Sequence, residues 1–375
     1  MVPSGETARP APIGRIAVIG TGAWGTALAV VAAQVGRQVA IWGRSAEVVD
    51  DINRNRRNSR NLDGIALPAG ITATTNPGTA CAGAEAVLIV TPSLSLRATC
   101  AMIRSHLAPG VPVALCCKGI ERGSGLLPTQ VAEQELPGHP VGALSGPTFA
   151  RETALGHPTA ATIAFPFNDA DRADPAESPA ARLAAALSGG GFRPYVSDDP
   201  VGVEVGGAVK NVIAIACGMM TGAGFAENTR AALITRGLEE MRRLAEALGG
   251  RDETVNGLSG VGDLVLTCSS PTSRNFSLGA QLGAGRPRAA CFDGRDVVVE
   301  GEVNALSVIE AARRAGVSMP ICEAVHAILH EGIPLAEAFA RLWARPIRAE
   351  ATGLSLAIEH PGGPAALQDL TRRLT

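Results

Sequence analysis

Two lysines and one aspartate stand where a proton and a negative charge could be handled. Lys210 interrupts an apolar run, with Val205-Gly206-Gly207-Ala208-Val209 before it and Asn211-Val212-Ile213-Ala214-Ile215-Ala216 after it. An amine in such surroundings needs a partner or a lowered pKa, and a desolvated lysine near a second cation can donate a proton at neutral pH. A lysine that snorkels its head to solvent is the alternative reading. Lys118 follows Pro112-Val113-Ala114-Leu115-Cys116-Cys117, a run that reads as a buried strand. That places it at the carboxyl edge of a sheet, where ligands bind in open α/β folds; a plain surface lysine is the alternative. Asp263 and Thr267 are four apart in Gly260-Val261-Gly262-Asp263-Leu264-Val265-Leu266-Thr267-Cys268 and share one face if the segment is helical. Asp263 could then hold a buried lysine, although taken alone it reads as a helix cap or surface acid. Ser273-Arg274-Asn275 precedes another helical stretch, and arginine with helix-start N–H groups suits a phosphate or carboxylate. For Arg274 alone, a surface ion pair is the alternative.

A second group of residues concerns a nucleotide. Gly20-Thr21-Gly22-Ala23-Trp24-Gly25 follows the apolar run 16–20, opens the helix-like 27–36 and is followed by a second strand-like run, 38–43. In that setting Gly20 permits the tight turn, Gly22 lets backbone approach a pyrophosphate, and Gly25 lets helix and strand pack closely. A glycine turn with no ligand is the alternative. After the second strand, Gly43-Arg44-Ser45 stands where a ribose-binding acid is expected. An arginine favours a 2′-phosphate, so NADP(H) is expected over NAD(H), with NAD(H) possible; Arg44 stacking on the adenine of either is the alternative. Arg54, Arg56, Arg57 and Arg60 form a basic run that reads as a solvated loop or a phosphate contact.

These residues need a scaffold, and the chain supplies one. Strand-like runs at 16–20, 38–43, 84–92, 112–119, 143–147, 159–165 and 192–197, with helix-like sequence between them, predict an α/β fold with a doubly wound parallel sheet. Residues 166–179 are rich in Asp and Pro and read as a surface loop or insertion. From 199 onward the pattern predicts helices over 201–223, 228–249, 252–259, 261–268, 275–284, 299–315, 320–330 and 334–343, with a marginal final segment after Pro346. The expected domains are a disordered tail at 1–14, a dinucleotide-binding domain at 15–198 and an all-helical substrate and catalytic domain at 199–375. Hydrophobic residues make up 46% of the 375, enough for a sizeable core, and aromatics only 3%, so Ala, Val, Leu and Ile must fill it. A net charge of −2 with no basic face argues against a nucleic-acid partner. The 8 cysteines include no CxxC pair and read as reduced core residues. No signal peptide is visible, and the apolar stretch 211–226 is read as too short to span a bilayer, which implies the cytoplasm and no stable membrane insertion. His326 and His330 lack a third ligand, so no metal is expected.

Together, GxGxWGTALA at 20–29, CKGI at 117–120, SGPTFA at 145–150, the run from Lys210-Asn211, GxGDLxLTC at 260–268 and SRN at 273–275 resemble NAD(P)-dependent glycerol-3-phosphate dehydrogenases of bacterial type. The resemblance covers residues 16 to about 345, in order. It implies an N-terminal Rossmann domain, a helical C-terminal domain, and reversible reduction of dihydroxyacetone phosphate to sn-glycerol 3-phosphate feeding glycerophospholipid synthesis. It makes Lys210 the catalytic acid/base, with Lys118 steadying charge and Asp263 orienting Lys210. Substrate would be lined by Lys118, Gly146, Thr148, Lys210, Asp263, Ser273, Arg274 and Asn275. The cofactor would meet the glycines of 20–25 with Ala23 and Trp24, then Arg44, Lys118, Ala150, Arg274, Val298 and Glu300. Asn211 and Thr267 would be supporting polar groups, and the expected assembly is a homodimer. Two departures stand out: Asn61-Leu62-Asp63 replaces the aromatic-Leu-Pro often found there, and 166–179 looks long. A related reductase acting on another phosphorylated or carboxylated carbonyl compound, and a catalytically silent dinucleotide sensor, are the competing readings. The sensor would be expected to lack Lys210 or Asp263.

Overall fold

The computed structural model describes residues 11–348 and 356–358. The described residues form two compact units, one up to 207 together with 245–263 and the other of 208–244 with those from 264 onward. Of the tail read at 1–14, residues 1–10 lie outside the described residues. Beyond them Ile13 is buried, and the Gly14 and Arg15 N–H groups donate to Glu85 Oε2 at 2.5 and 2.9 Å.

The first unit is built on one eight-stranded sheet. Its strands are β1 (Arg15–Ile19), β2 (Gln38–Trp42), β3 (Ile71–Thr74), β4 (Ala86–Ile89), β5 (Val113–Leu115), β6 (Val141–Ser145), β7 (Thr159–Ala164) and β8 (Phe192–Ser197). Their order is β3-β2-β1-β4-β5-β6-β7-β8. Ala17 pairs with Ala40 of β2 on one side and Val87 of β4 on the other, and all neighbours are parallel except β6 and β7. The order reverses beside β1, which makes the β1–β4 crevice a topological switch point. Ile16 and Val18 enter one core cluster, Ala17 and Ile19 the other. Alternate side chains leave opposite faces of a strand, so a strand covered on both faces must be apolar throughout.

Several boundaries differ from the sequence reading. β3 escapes it because Ile71-Thr72-Ala73-Thr74 is a short edge strand with only Ile71 buried. The 166–179 segment is ordered by caps: Asn168 and Asp171 form a reciprocal capping box on the helix Asp169–Ala173, and Ser178 caps Pro179–Leu187. The stretches read as helices over 252–259 and 261–268 become a short helix Asp252–Val255, a π-helical turn Leu258–Gly262 and a helix Asp263–Ser269. Chain crowding allows nothing larger than glycine there, since a Cβ on Gly260 would lie 1.8 Å from Val255 O.

The second unit is helical, with Glu227–Ala247, Arg274–Gly283, Glu300–Ala315, Pro320–His330 and Leu335–Trp343 close to the expected spans. One exception to an all-helical unit is a two-residue antiparallel ladder between Ile347–Arg348 and Ala357–Ile358. Helix Pro200–Gly222 begins in the first unit and ends in the second. Contrary to the reading of 211–226, this helix is long and apolar enough to cross a membrane by length and composition, but its most apolar stretch is 94% buried in the fold. It crosses Arg274–Gly283 backbone to backbone: a Cβ on Gly218 would lie 2.1 Å from Phe276 O, and one on Gly279 2.1 Å from Ile215 O.

Two buried carboxyls fasten helix starts. Glu204 accepts from Thr129 N at 2.8 Å and Thr129 Oγ1 at 2.7 Å, and Glu240 accepts from the Ile321 and Cys322 N–H groups at 2.7 and 3.2 Å. Burial pushes their carboxyls up to about 8 and about 7 respectively, against these hydrogen bonds. In the unfolded chain both ionise near the ordinary glutamate value. The folded state therefore binds more protons between about pH 4.5 and 8, and stability falls as pH rises through that window. The carboxylates whose pKa is lowered, Glu85, Glu121 and Asp198 among them, act below it. We expect the thermal midpoint to fall from pH 5.5 to pH 8, and Glu204→Gln to flatten that fall; an unchanged slope in the variant refutes the assignment.

Candidate active site

The carboxyl ends of β1, β2, β4, β5 and β6 gather one set of candidates in the first unit. After β1 the chain turns at Gly20, whose φ of +129° suits glycine and where a Cβ would lie 2.9 Å from Val90 O past the end of β4. A Cβ on Gly25 would lie 2.0 Å from Gly20 O, so helix and strand close on each other as the motif requires. A Cβ on Gly22 would meet nothing within 4 Å. The open space in front of Gly22 faces the start of helix Ala23–Gln34, which has no side-chain cap and no acid in its first turn. Uncapped N–H groups beside backbone-only space fit a pyrophosphate. Trp24 packs partly buried on the core, its Nε1 without a partner among the described residues. Arg44 is exposed past the end of β2, and Ser45 behind it caps the next helix by accepting from Val48 N at 3.4 Å.

A brace that the sequence reading missed holds the glycine turn. Asn58, 1% exposed, donates through Nδ2 to Thr21 O and Thr26 Oγ1, both at 2.8 Å, and Asn61 Nδ2 donates to Thr21 O at 3.0 Å. This gives the segment around the arginine run a structural duty. Arg56 itself spends its guanidinium on the Ile71 and Pro68 carbonyls, while Arg54 forms an exposed ion pair with Asp50.

Lys118 lies three residues past β5, and its Nζ donates to Asp263 Oδ2 at 2.6 Å and to Gly146 O at 3.2 Å. Its side chain is 13% exposed and that of Asp263 2%. Gly146 follows β6 directly, and a Cβ there would press on Ala161 Cα at 2.8 Å. Thr148 turns its hydroxyl back to Gly146 O at 3.2 Å, and Ala150 starts the next helix half-buried.

The second unit holds the other candidates. Lys210 is 6% exposed, and its Nζ donates to Thr267 Oγ1 at 2.7 Å. Asn211 Oδ1 accepts from Asn275 Nδ2 at 2.8 Å, and Asn275 Oδ1 accepts from Gly301 N at 2.9 Å, so the next helix start is tied into the same network. Ser273 caps its own helix by accepting from Phe276 N at 3.3 Å. Exposed Arg274 donates to the carbonyl of Val298 at 2.8 Å, two residues before half-buried Glu300. His330 Nε2 lies 2.8 Å from Glu302 O, and His326 Nδ1 lies 3.3 Å from Glu331. Among the described residues no three His, Cys, Asp or Glu side chains converge as a metal site. All cysteines but Cys117 are buried, and none is bonded to another.

One signal in the composition separates these lysines from ordinary cations. Of the 33 Lys and Arg residues, only Lys118 and Lys210 are lysines. Arginine serves every surface and structural need for positive charge, yet it cannot release a proton at physiological pH.

A doubly wound sheet with a glycine-lined, uncapped helix start at its switch point, carrying a lysine–aspartate pair at its edge, defines a dinucleotide-binding oxidoreductase. Residues 15–171 match the N-terminal and residues 199–340 the C-terminal profile of NAD-dependent glycerol-3-phosphate dehydrogenase. Among curated relatives, glycerol-3-phosphate dehydrogenase [NAD(P)+] of Rhodospirillum rubrum is 48% identical over 338 residues, 90% of this chain and 94% of that one. The protein of the same name from Parvibaculum lavamentivorans is 46% identical, covering 90% of this chain and 98% of the other. The crystal structure of glycerol-3-phosphate dehydrogenase from Coxiella burnetii superposes with a TM-score of 0.81 at 36% identity, over 89% of this chain and 99% of that one. The chain belongs to the NAD-dependent glycerol-3-phosphate dehydrogenase family. It is a nicotinamide-dependent oxidoreductase.

Breaking a buried ion pair removes the attraction that offsets the desolvation of both charges. Asp263→Asn is expected to lower the unfolding free energy by about 3 kcal/mol in urea titration; a loss near zero means that Lys118 finds equivalent solvation without its partner.

Proposed function

We propose that the chain reduces dihydroxyacetone phosphate reversibly to sn-glycerol 3-phosphate, with NADP(H) preferred over NAD(H), and thereby feeds glycerophospholipid synthesis. The observation that carries this reading is Lys210, an amine 6% exposed in an apolar helix and held at 2.7 Å by the Thr267 hydroxyl. An amine so buried and so oriented is placed to pass a proton to one defined point.

A nicotinamide cofactor, when bound, would supply a hydride to the ketone carbon. As the carbonyl oxygen gains negative charge, Lys210 donates a proton to it, and in the reverse direction the same amine takes the proton from the alcohol. Lys118 steadies the developing charge, and Asp263 orients Lys210 and also fixes the Lys118 ammonium, so that little reorganisation is needed at that moment. Arg274, Asn275 and Ser273 hold the substrate phosphate, which sets the reach of the carbonyl; Gly146 and Thr148 line the substrate. Backbone N–H groups at the start of helix Ala23–Gln34 hold the pyrophosphate behind Gly20, Gly22 and Gly25. Ala23, Trp24, Ala150, Val298 and Glu300 contact the cofactor, and Arg44 takes the 2′-phosphate. We place the functional boundary between 198 and 199, the enzyme in the cytoplasm, and its assembly as a homodimer.

Lys210→Ala is expected to abolish dihydroxyacetone phosphate reduction while NADPH still binds, read by nicotinamide absorbance and fluorescence. Turnover retained in that variant sinks the assignment. Arg44→Ala should raise the KM for NADPH about tenfold or more and leave that for NADH nearly unchanged; a wild-type preference for NADH would overturn the role given to Arg44.

A further inference from the structure

Helix Pro200–Gly222 carries two consecutive glycines, Gly206 and Gly207, in its interior. Glycine is a poor helix former, so a pair of them in mid-helix calls for a compensating reason. We infer that Gly206 and Gly207 are positioning residues for the Lys118–Asp263 pair, one seating each partner. The inference deepens the proposed function, because it rests on the charge-steadying role given there to Lys118.

The contacts separate cleanly. A methyl group on residue 207 would lie 3.3 Å from Lys118 Cγ, 3.7 Å from Lys118 Cβ and 3.1 Å from Ser145 Oγ. The missing side chain is therefore the groove along which the lysine stem passes on its way to Asp263. Ser145 precedes Gly146, whose carbonyl accepts from Lys118 Nζ at 3.2 Å. Its own hydroxyl is buried without a hydrogen-bond partner among the described residues, so it contributes volume to this contact.

Residue 206 points about 100° around the helix from 207 and meets the other partner's support. A methyl group there would lie 2.7 Å from Ser259 O, 3.0 Å from Ser259 C and 3.2 Å from Gly260 Cα. Those atoms belong to the π-helical turn Leu258–Gly262, and the Asp263 N–H donates back to Gly260 O and Leu258 O. Backbone displaced at Ser259 is thus passed directly to Asp263. Local π-helical turns of this kind recur at functional sites. Crowding at 206 is against main-chain atoms, whereas at 207 it is against two side chains that can give a little, so Gly206→Ala should be the more damaging change.

The full-length wild type, Gly206→Ala, Gly207→Ala, Ser145→Ala and the double variant Gly207→Ala/Ser145→Ala test this. Steady-state kinetics with dihydroxyacetone phosphate should show kcat reduced about tenfold in Gly207→Ala and further in Gly206→Ala, with the KM for NADPH within twofold of wild type. Ser145→Ala alone should change kcat less than threefold, and in the double variant it should restore most of the loss by vacating the space beside residue 207. With only two lysines in the chain, 13C-lysine labelling gives two side-chain signals, assigned by Lys210→Arg. The Lys118 signal should move in both glycine variants, more than that of Lys210. A raised melting temperature with unchanged kcat overturns the inference, because alanine would then simply be the better helix former. So does a lower melting temperature with unaltered kcat per folded molecule and a still Lys118 signal, which is a purely structural effect. Should the wild type fail to reduce dihydroxyacetone phosphate, the proposed function falls, and the lysine signals still decide the glycine inference.

Discussion

The ion pair between Lys118 and Asp263, 2.6 Å long and nearly closed to solvent, is the contact on which the arrangement of the first unit turns. Its members are 145 residues apart in sequence. One rides on the carboxyl end of β5 and the other begins a helix that follows a tight π-helical turn. A buried pair of this kind is a poor source of net stability, since desolvation offsets most of the attraction. What it provides is direction: an ammonium group held by a carboxylate and by the Gly146 carbonyl points one way and has little freedom to point elsewhere.

The glycine turn shows a parallel logic with neutral groups. A helix start that must accept a ligand anion cannot be closed by its own side-chain cap, and helix Ala23–Gln34 has none. The turn must then be stiffened from outside, and Asn58 and Asn61 do this through the Thr21 carbonyl, leaving the N–H groups ahead of Gly22 uncovered. The second unit differs: there the helix start is closed by its own cap, Ser273, and Asn275 is engaged by Asn211 and Gly301. Polar side chains near the candidate site thus spend much of their hydrogen-bonding capacity on holding backbone still.

Cation usage ties these observations to chemistry. A chain that uses arginine for every other positive charge and keeps lysine at two positions has separated two physical tasks. Guanidinium groups hold carboxylates and carbonyls, as Arg97 does with Glu121 and Glu135 and Arg288 with Glu302. Primary amines stand only where a compact charge of adjustable pKa is useful.

Much of this was legible before any coordinates. Apolar runs marked β1, β2, β4, β5 and β6, because strands covered on both faces must be apolar at nearly every position; β7 and the edge strand β8 were marked by β-type residues instead, and periodicity marked the long helices to within a few residues. Lys210 could be singled out because an amine is improbable in so apolar a run, Lys118 by its place after a strand, and the GxGxxG turn and Asp263 by their motifs. β3 could not, as an edge strand with threonines has no continuous apolar run. Nor could the caps that order 166–179, the Asn58 and Asn61 brace, or the contact between Asp263 and Lys118. The sequence reading gave Asp263 the task of orienting Lys210; the contact to Lys118 within the first unit is a further one that it did not name. By itself the sequence determined which residue types were available and where the chain must be strand or helix, since both follow from local patterns of polarity. Tertiary structure alone decided which carboxylate meets which amine and where only a hydrogen atom fits, because those depend on atoms brought together from distant parts of the chain.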